Sequence, residues 1–189
     1  MASYDRAKNR AYQIKVILKD SKPPIWRRIQ VIPDTDLHTF HHILQVVMGW
    51  SNSHPHLFII GGTFYGIPDP EYEFEIRDEK EASLNQVISD QKSRFTYEYD
   101  FGDCWQHEIL IEEILPMKKG VHYPFCLGGK RACPPEDCGG IWDYADILEA
   151  VQDPDHPQYY DMLKWVEDGF DPDSFNIDEI NRELRTVRS

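Results

Sequence analysis

The strongest strand signal in the chain lies at residues 95–111, which read FTYEYDFGDCWQHEILI. Aromatic and aliphatic residues alternate with polar ones on both sides of its centre, a period that predicts two β-strands forming a hairpin. For both strands to face one core, opposed positions must sum to an even number, as Tyr99 and Trp105 do. This register requires an odd loop of three or five residues centred on Gly102, where glycine would supply a positive φ.

Two earlier segments, residues 12–19 and 25–32, predict another hairpin around a proline-containing turn. A helix follows them and ends at Gly49, because apolar residues recur at helical spacing at Phe40, Ile43, Leu44 and Val47. Shorter elements are predicted next: strands at 56–60, 63–67 and 72–76, and a helix at 82–88.

The last part of the chain changes to a helical period after Gly140. It predicts three helices, at 141–151, 157–168 and 176–185, after a loop at 116–140 without regular structure. Strands followed by helices indicate an α+β fold, with a mainly antiparallel sheet of hairpins covered by helices and a C-terminal helical segment. We expect one domain over residues 1–189, with a sheet-rich core at 1–140 and the helical segment at 141–189.

Composition and charge restrict the classes of partner. Net charge is −13, and the whole excess lies in residues 96–189, which carry 8 basic and 21 acidic groups. Such acidity repels phosphate backbones and makes nucleic acid an unfavourable partner. No run approaches the roughly 20 apolar residues of a membrane span, and the first ten residues are polar, so we expect a cytoplasmic protein without a membrane partner.

The hairpin tip concentrates candidate catalytic groups. Asp100, Asp103 and His107 could form an acid–base or metal-binding cluster. Alternatively, the aspartates form the turn and His107 is a core histidine bonded to Tyr97 or Tyr99.

Candidate binding residues come from the same hairpin and from the second predicted strand: Arg27, Arg28, Tyr97, Tyr99 and Trp105. Arg27 shares the apolar face of its strand, where an unpaired guanidinium would be costly. We therefore expect Asp100 or Asp103 to pair with Arg27 or Arg28.

Three of the four cysteines, Cys126, Cys133 and Cys138, fall within the predicted loop. Three thiolates and one histidine make a closed zinc site, and the histidine could be His122, His107 or His54. The spacing is not the C-x₂-C pair typical of zinc, so inert buried thiols and a reactive cysteine stay open as alternatives. Cys104, at the hairpin tip, is expected to have no metal role.

Five of the eight histidines lie early in the chain, at positions 38, 41, 42, 54 and 56. His38 and His42 share a helix face, but the run lacks the glutamate of an H-E-x-x-H metalloprotease motif. We expect a surface helix flanked by a polar loop.

Three motifs in order resemble the Ri-plasmid open-reading-frame-three-like proteins: PPIWRR at 23–28, YDFGDCWQH at 99–107 and RACPPEDCGG at 131–140. The resemblance covers about Tyr12 to Asp171 and implies a compact α+β domain of this length, without implying an activity. Some members are labelled as passengers of transposable elements, which implies a link to DNA transactions.

These observations favour a non-catalytic binding or adaptor module for a protein or small-molecule ligand. They leave a zinc-dependent hydrolase as an alternative, and an accessory protein of plasmid or transposon DNA as a weaker one. The binding interpretation expects exposed aromatics at Trp142, Tyr144, Tyr159 and Tyr160. Every functional interpretation requires the tip around Gly102 to meet the cysteine-bearing segment in space.

Overall fold

The computed structural model describes residues 9–167 and 170–187, and the side chains of residues 164–167 are not described. Eight strands form one sheet in the order β5-β4-β3-β6-β7-β1-β2-β8. The strands are β1 (Arg10–Leu18), β2 (Trp26–Val31), β3 (His56–Ile60), β4 (Thr63–Gly66), β5 (Ile76–Asp78), β6 (Arg94–Tyr99), β7 (Trp105–Pro116) and β8 (Phe125–Lys130). The helices are α1 (Leu37–Met48), α2 (Leu84–Val87), α3 (Gly140–Ala150), α4 (Tyr159–Glu167) and α5 (Ile177–Leu184), with a 3₁₀ turn at Glu79–Glu81. The predicted α+β class is confirmed.

The β6–β7 hairpin has the predicted register, with Tyr99 opposite Trp105 and Tyr97 opposite His107. Its loop has five residues, but the positive φ values belong to Asp100 (59°) and Cys104 (57°) and not to Gly102. The prediction for Gly102 was wrong because an aspartate can stabilise this conformation with its own side chain. Asp100 Oδ1 accepts a hydrogen bond from the Gly102 N–H at 2.9 Å.

The two hairpins join edge to edge, because β1 pairs with β2 on one side and with β7 on the other. Helix α1 contributes much of the core that packs with this sheet. Its first turn is capped by Asp36, which accepts from the Thr39 N–H at 2.6 Å, and its end is fixed by Gly49 at φ 91°. The predicted apolar face is completely buried, at Phe40, Ile43, Leu44 and Val47.

The segment at 116–140 is not an irregular loop, which corrects the prediction. Its residues 125–130 form β8, which pairs with the outer edge of β2. This strand escapes pattern analysis because two glycines replace the alternating apolar residues. Gly129 is required by packing: a Cβ there would lie 2.9 Å from Arg27 Cδ and would also meet the Phe175 ring.

The remaining differences concern short elements and element ends. β5 begins at Ile76, where the predicted strand at 72–76 ends, and it pairs in parallel with β4. The three C-terminal helices lie where predicted, although Asp168 of the second prediction lies outside the described residues. Within the described ranges, no helix is long and apolar enough to span a membrane.

Candidate functional site

Three segments meet at the hairpin tip: the tip itself at 100–104, the loop at 50–55 and the segment at 132–140. The Gly139 N–H donates to Asp103 Oδ2 at 3.2 Å, and Trp50 Nε1 donates to the Pro134 carbonyl at 3.0 Å. The expected meeting of the tip with the cysteine-bearing segment is therefore confirmed. We call this junction the tip site.

The glycine pair at the start of α3, Gly139 and Gly140, allows this segment to approach the hairpin tip closely. Gly139 and Gly140 have φ values of 91° and 84°, which residues other than glycine rarely adopt. A Cβ on Gly140 would lie 2.5 Å from the Asp103 carbonyl oxygen. The sequence Cys138-Gly139-Gly140 therefore serves to dock this segment on the tip.

Two carboxylates flank one imidazole in the tip site, and we call His54, Asp100 and Asp137 the outer cluster. His54 Nδ1 lies 3.5 Å from Asp100 Oδ2, and His54 Nε2 lies 3.5 Å from Asp137 Oδ1. Asp100 is buried, whereas the Asp137 side chain is 78% exposed. One donor atom from each residue can be chosen so that all three lie within 4.8 Å of one another, a grouping with the chemistry of a metal site.

A hydrogen-bonded group formed by Glu136, Tyr99 and Ser51 lies beside the outer cluster, and we call it the lip. The Glu136 carboxylate accepts from the Tyr99 hydroxyl at 2.5 Å and from the Ser51 hydroxyl at 2.5 Å. Burial alone would raise the pKa of Glu136, but the hydrogen bonds from Ser51 and Tyr99 outweigh it and hold the pKa below its usual value. Burial, together with this carboxylate, raises the pKa of Tyr99. Glu136 is therefore an anion held beside a neutral phenol.

A second histidine–carboxylate group lies inside the fold, and we call His38, His41, His56 and Glu79 the inner cluster. Glu79 is completely buried and bonds to His56 Nε2 at 2.6 Å and to His38 Nδ1 at 2.7 Å. Burial opposes its charge, but the hydrogen bond and charge of His56, with His38, leave the pKa of Glu79 below its usual value.

His41 closes the inner cluster by stacking on His56, with ring centroids 3.4 Å apart and planes 5° apart. Its Nδ1 meets the Tyr97 hydroxyl at 2.8 Å and its Nε2 meets Asn52 Oδ1 at 2.6 Å. Burial, reinforced by neighbouring His56, lowers the pKa of His41 to about 3. The neutral ring therefore links helix α1 to β3 and β6. The prediction of a polar surface stretch was wrong for His41 and His56, since both are buried.

The predicted cluster of Asp100, Asp103 and His107 does not form. Both aspartates lie at the tip, whereas His107 is completely buried between strands and its Nδ1 faces the Tyr97 carbonyl at 3.4 Å. Burial lowers the pKa of His107 to about 3. The core interpretation of His107 therefore holds. Tyr97, Tyr99 and Trp105 are also completely buried, so their rings belong to the core and do not line an open surface.

Neither arginine pairs with the tip, which corrects a second prediction. Arg27 is buried and donates to the carbonyl oxygens of Val47 at 2.6 Å and Lys130 at 3.1 Å. Its guanidinium also lies 5.0 Å from the centre of the Phe175 ring. Arg28 instead forms a bidentate pair with Glu112, at 2.6 and 2.8 Å. Backbone carbonyls therefore satisfy Arg27 where a carboxylate was expected.

The three predicted zinc ligands are buried but do not share a site. Cys126 Sγ lies against the Gly128 carbonyl and Cys133 Sγ against Met48 Sδ. Among the described residues, only the outer cluster brings three metal-binding donors within 4.8 Å of one another. Burial raises the pKa of Cys133 to about 11 and that of Cys138 to about 12, which favours unreactive thiols.

A large cavity opens beside the lip, between α1, the segment at 132–136 and α5. Its volume is about 1190 Å³, and we call it the α1–α5 groove. Apolar residues that line it include Val46, Met48, Trp50, Pro134, Phe170, Phe175 and Ile180. The carboxylates along it are Glu136, Glu179 and Glu183.

Sequence reasoning missed the site roles of Glu79 and Asp137. It names His54 as a candidate metal ligand, but with the cysteines as partners, because nothing in the sequence links His54 to the distant aspartates. The motif Cys133-Pro134-Pro135-Glu136-Asp137 offered a signal, since a proline-braced acidic loop holds carboxylates in fixed positions. Glu79 had no local signal, because its partners come from α1 and β3.

Comparison with known proteins gives a family but no activity. The family model described as "Plasmid pRiA4b ORF-3-like protein" matches residues 10–179. The uncharacterized protein y4hQ of Sinorhizobium fredii (strain NBRC 101917 / NGR234) is 36% identical over 174 residues, covering 91% of this chain and 89% of that protein. The crystal structure of the protein of unknown function MM3350 from Methanosarcina mazei Go1 is similar, with a TM-score of 0.82 and 37% identity over 90% of this chain and 97% of that one. The chain therefore belongs to the family of plasmid pRiA4b ORF-3-like proteins.

Proposed function

We propose that this protein is a binding module whose α1–α5 groove takes an amphipathic, basic peptide segment of a partner protein. The observation that carries the proposal is the combination of an apolar floor with carboxylates along the sides. Grooves of this type accept the apolar face of a helix or an extended segment.

Charge complementarity selects a basic occupant. Glu179 and Glu183 are four residues apart on α5, so they project from one helix face, and both are exposed. The groove also contains Arg27, whose side chain is buried and donates to backbone carbonyls, so the three glutamates outweigh its single positive charge. A segment with lysine or arginine beside its apolar residues would therefore meet opposite charge.

The floor supplies the affinity that charge alone would not. Val46 is half-buried on α1, while Trp50 and Met48 are largely buried beside it. Burying apolar side chains of a partner there would contribute about 25 cal/mol per Å² of surface removed from water. The occupant must therefore carry both apolar and basic residues.

The test uses two synthetic helical peptides of equal length, one of leucine and lysine and one of leucine and glutamate, each with a fluorescent label. By fluorescence anisotropy we expect the leucine–lysine peptide to bind at least tenfold more tightly. The double variant Glu179→Lys/Glu183→Lys should lose at least tenfold of that affinity, and Val46→Gln should also weaken it.

The matched control is Glu73→Lys/Glu75→Lys, which changes net charge by the same amount at exposed positions before β5. This variant should bind the leucine–lysine peptide within twofold of wild type. Equal losses in both double variants would attribute binding to overall acidity, and a failure of both peptides to bind would overturn the proposal.

A further inference from the structure

We propose that the outer cluster is a binding site for one divalent metal ion, held by His54, Asp100 and Asp137. An imidazole nitrogen and two carboxylate oxygens suit ions such as Mn²⁺ or Zn²⁺. This site lies at the tip, outside the α1–α5 groove, and its argument does not depend on the proposed function.

The distances in the outer cluster are longer than those of direct charge-assisted hydrogen bonds. Charge-assisted hydrogen bonds between nitrogen and oxygen are about 2.7–2.9 Å long, and the inner cluster has such bonds at 2.6 and 2.7 Å. Both His54 contacts are 3.5 Å. A metal bound at about 2.1 Å to each donor holds neighbouring donors about 3.0–3.4 Å apart. The two contacts use different ring nitrogens, so one ion would take only one of them. One donor from each residue lies within 4.8 Å of the other two, and rotation of the exposed Asp137 side chain would bring its oxygen towards the nitrogen that faces Asp100.

One carboxylate oxygen of Asp100 faces His54 without a hydrogen-bond donor. Asp100 is 6% exposed, and its Oδ1 accepts from the Gly102 and Asp103 N–H groups at 2.9 and 3.4 Å. Within the described ranges its Oδ2 accepts no hydrogen bond, and its ion-pair contact is His54 Nδ1 at 3.5 Å. The lone pairs of this oxygen are therefore available to a cation that enters between His54 and Asp137.

The ion would connect three loops that are distant from one another in the sequence. His54 comes from the loop before β3, Asp100 from the hairpin tip and Asp137 from the segment before α3. Asp137 is exposed, which gives an ion access from solvent. The alternative is that His54 bridges the two aspartates directly through its two ring nitrogens, without metal, and the experiment separates the two.

The experiment titrates chelator-treated full-length protein with Mn²⁺ and follows the free ion by electron paramagnetic resonance. Mn²⁺ is chosen because it prefers oxygen and nitrogen donors and avoids the thiols. We expect one ion per chain, with Asp137→Asn and His54→Ala each weakening binding at least tenfold. The matched control is Asp146→Asn on the exposed face of α3, which should bind like wild type.

Asp137 is exposed, so its variant should keep the wild-type circular dichroism spectrum and report on binding alone. No binding at millimolar Mn²⁺ would overturn the proposal. Binding that survives both Asp137→Asn and His54→Ala would place the ion elsewhere and would also overturn it.

Discussion

The inner and outer clusters use the same chemical groups and differ in how the fold closes around them. In the inner cluster, His56 and the completely buried Glu79 are 2.6 Å apart. In the outer cluster, His54 is 3.5 Å from each aspartate, and one of these, Asp137, is largely exposed. A buried carboxylate whose oxygens already accept short hydrogen bonds stabilises the fold and cannot bind a further ligand. A carboxylate with long, solvent-exposed contacts still has lone pairs available to a ligand.

The difference between the two clusters follows from the elements to which their residues belong. Inner residues come from α1, β3 and the 3₁₀ turn, which the core holds in place, whereas outer residues come from three loops. Loops positioned by a rigid scaffold are where binding groups concentrate. Tyr99 separates the two groups, with its ring centre 6.5 Å from His41 and 5.8 Å from His54.

The largest expected effect is the loss of stability in acid. The folded pKa of His41 and of His107 is about 3, against about 6.5 in an unfolded chain. The unfolded state therefore binds more protons, and the free energy of unfolding should fall as pH drops from about 6.5 towards 3. Each histidine contributes about 1.4 kcal/mol per pH unit, or roughly 5 kcal/mol for both between pH 6.5 and 4.5.

Urea unfolding at a series of pH values measures this loss. His107→Gln should remove about half of the slope below pH 6.5. A free energy of unfolding that stays constant from pH 6.5 to 4.5 would show that burial does not hold these two rings neutral. The contrast between buried histidines such as His41 and the partly exposed His54 would then lose its physical basis.

A smaller but still large effect is expected for Glu79→Ala. The substitution leaves His38 and His56 without their shared carboxylate, and breaking a buried pair in this way costs about 4 kcal/mol. The matched control is Glu81→Ala, an exposed glutamate of the same 3₁₀ turn, which should change the free energy of unfolding by less than about 0.5 kcal/mol. Equal effects of Glu79→Ala and Glu81→Ala would show that the inner cluster contributes no special stability to the fold.

Tyr99→Phe tests the residue between the clusters and should cost about 2 kcal/mol, because the hydroxyl also accepts from the Ser53 N–H and each of the two hydrogen bonds is worth about 1 kcal/mol net. It removes the hydroxyl that donates to Glu136 and keeps the buried ring. A double-mutant cycle with Glu136→Gln, measured by urea unfolding, should give a coupling of about 1 kcal/mol, the value of the Tyr99–Glu136 bond alone. Additive single effects would show that this hydrogen bond contributes nothing to stability.

The smallest effect is expected for Asp137→Asn in metal-free protein. Its side chain is 78% exposed, so the change in the free energy of unfolding should be within about 0.5 kcal/mol. A loss of 2 kcal/mol or more, by the same urea assay, would make the outer cluster as structural as the inner one.

Local patterns predicted what local physics determines. The β6–β7 register followed from the period of two and from the odd loop, and α1 followed from its apolar face and its terminal glycine. Strand β8 was missed because residues 125–130 carry two glycines, and its pairing with β2 is a long-range contact. Its Gly129 is explained only by the Arg27 and Phe175 side chains that approach it.

The candidate site was predicted in place but not in composition. The tip and the segment at 132–140 meet as expected, since both carry glycines and acidic turn formers. The predicted partners were wrong for Arg27 and for the three cysteines. Backbone carbonyls accept the hydrogen bonds of Arg27 in place of a carboxylate, and the cysteines are buried as thiols instead of binding a metal together. His54 and Asp137 lie far apart in the sequence, and no local pattern brings them together.

Pulsed electron paramagnetic resonance of the Mn²⁺ complex tests most directly whether the outer cluster, unlike the inner one, accepts a ligand. Electron spin-echo envelope modulation detects nitrogen bonded to the ion. We expect modulation from one imidazole nitrogen that disappears in His54→Ala and persists in His42→Ala. Modulation that persists in His54→Ala, or its absence from wild-type protein saturated with Mn²⁺, would contradict the distinction between the two clusters.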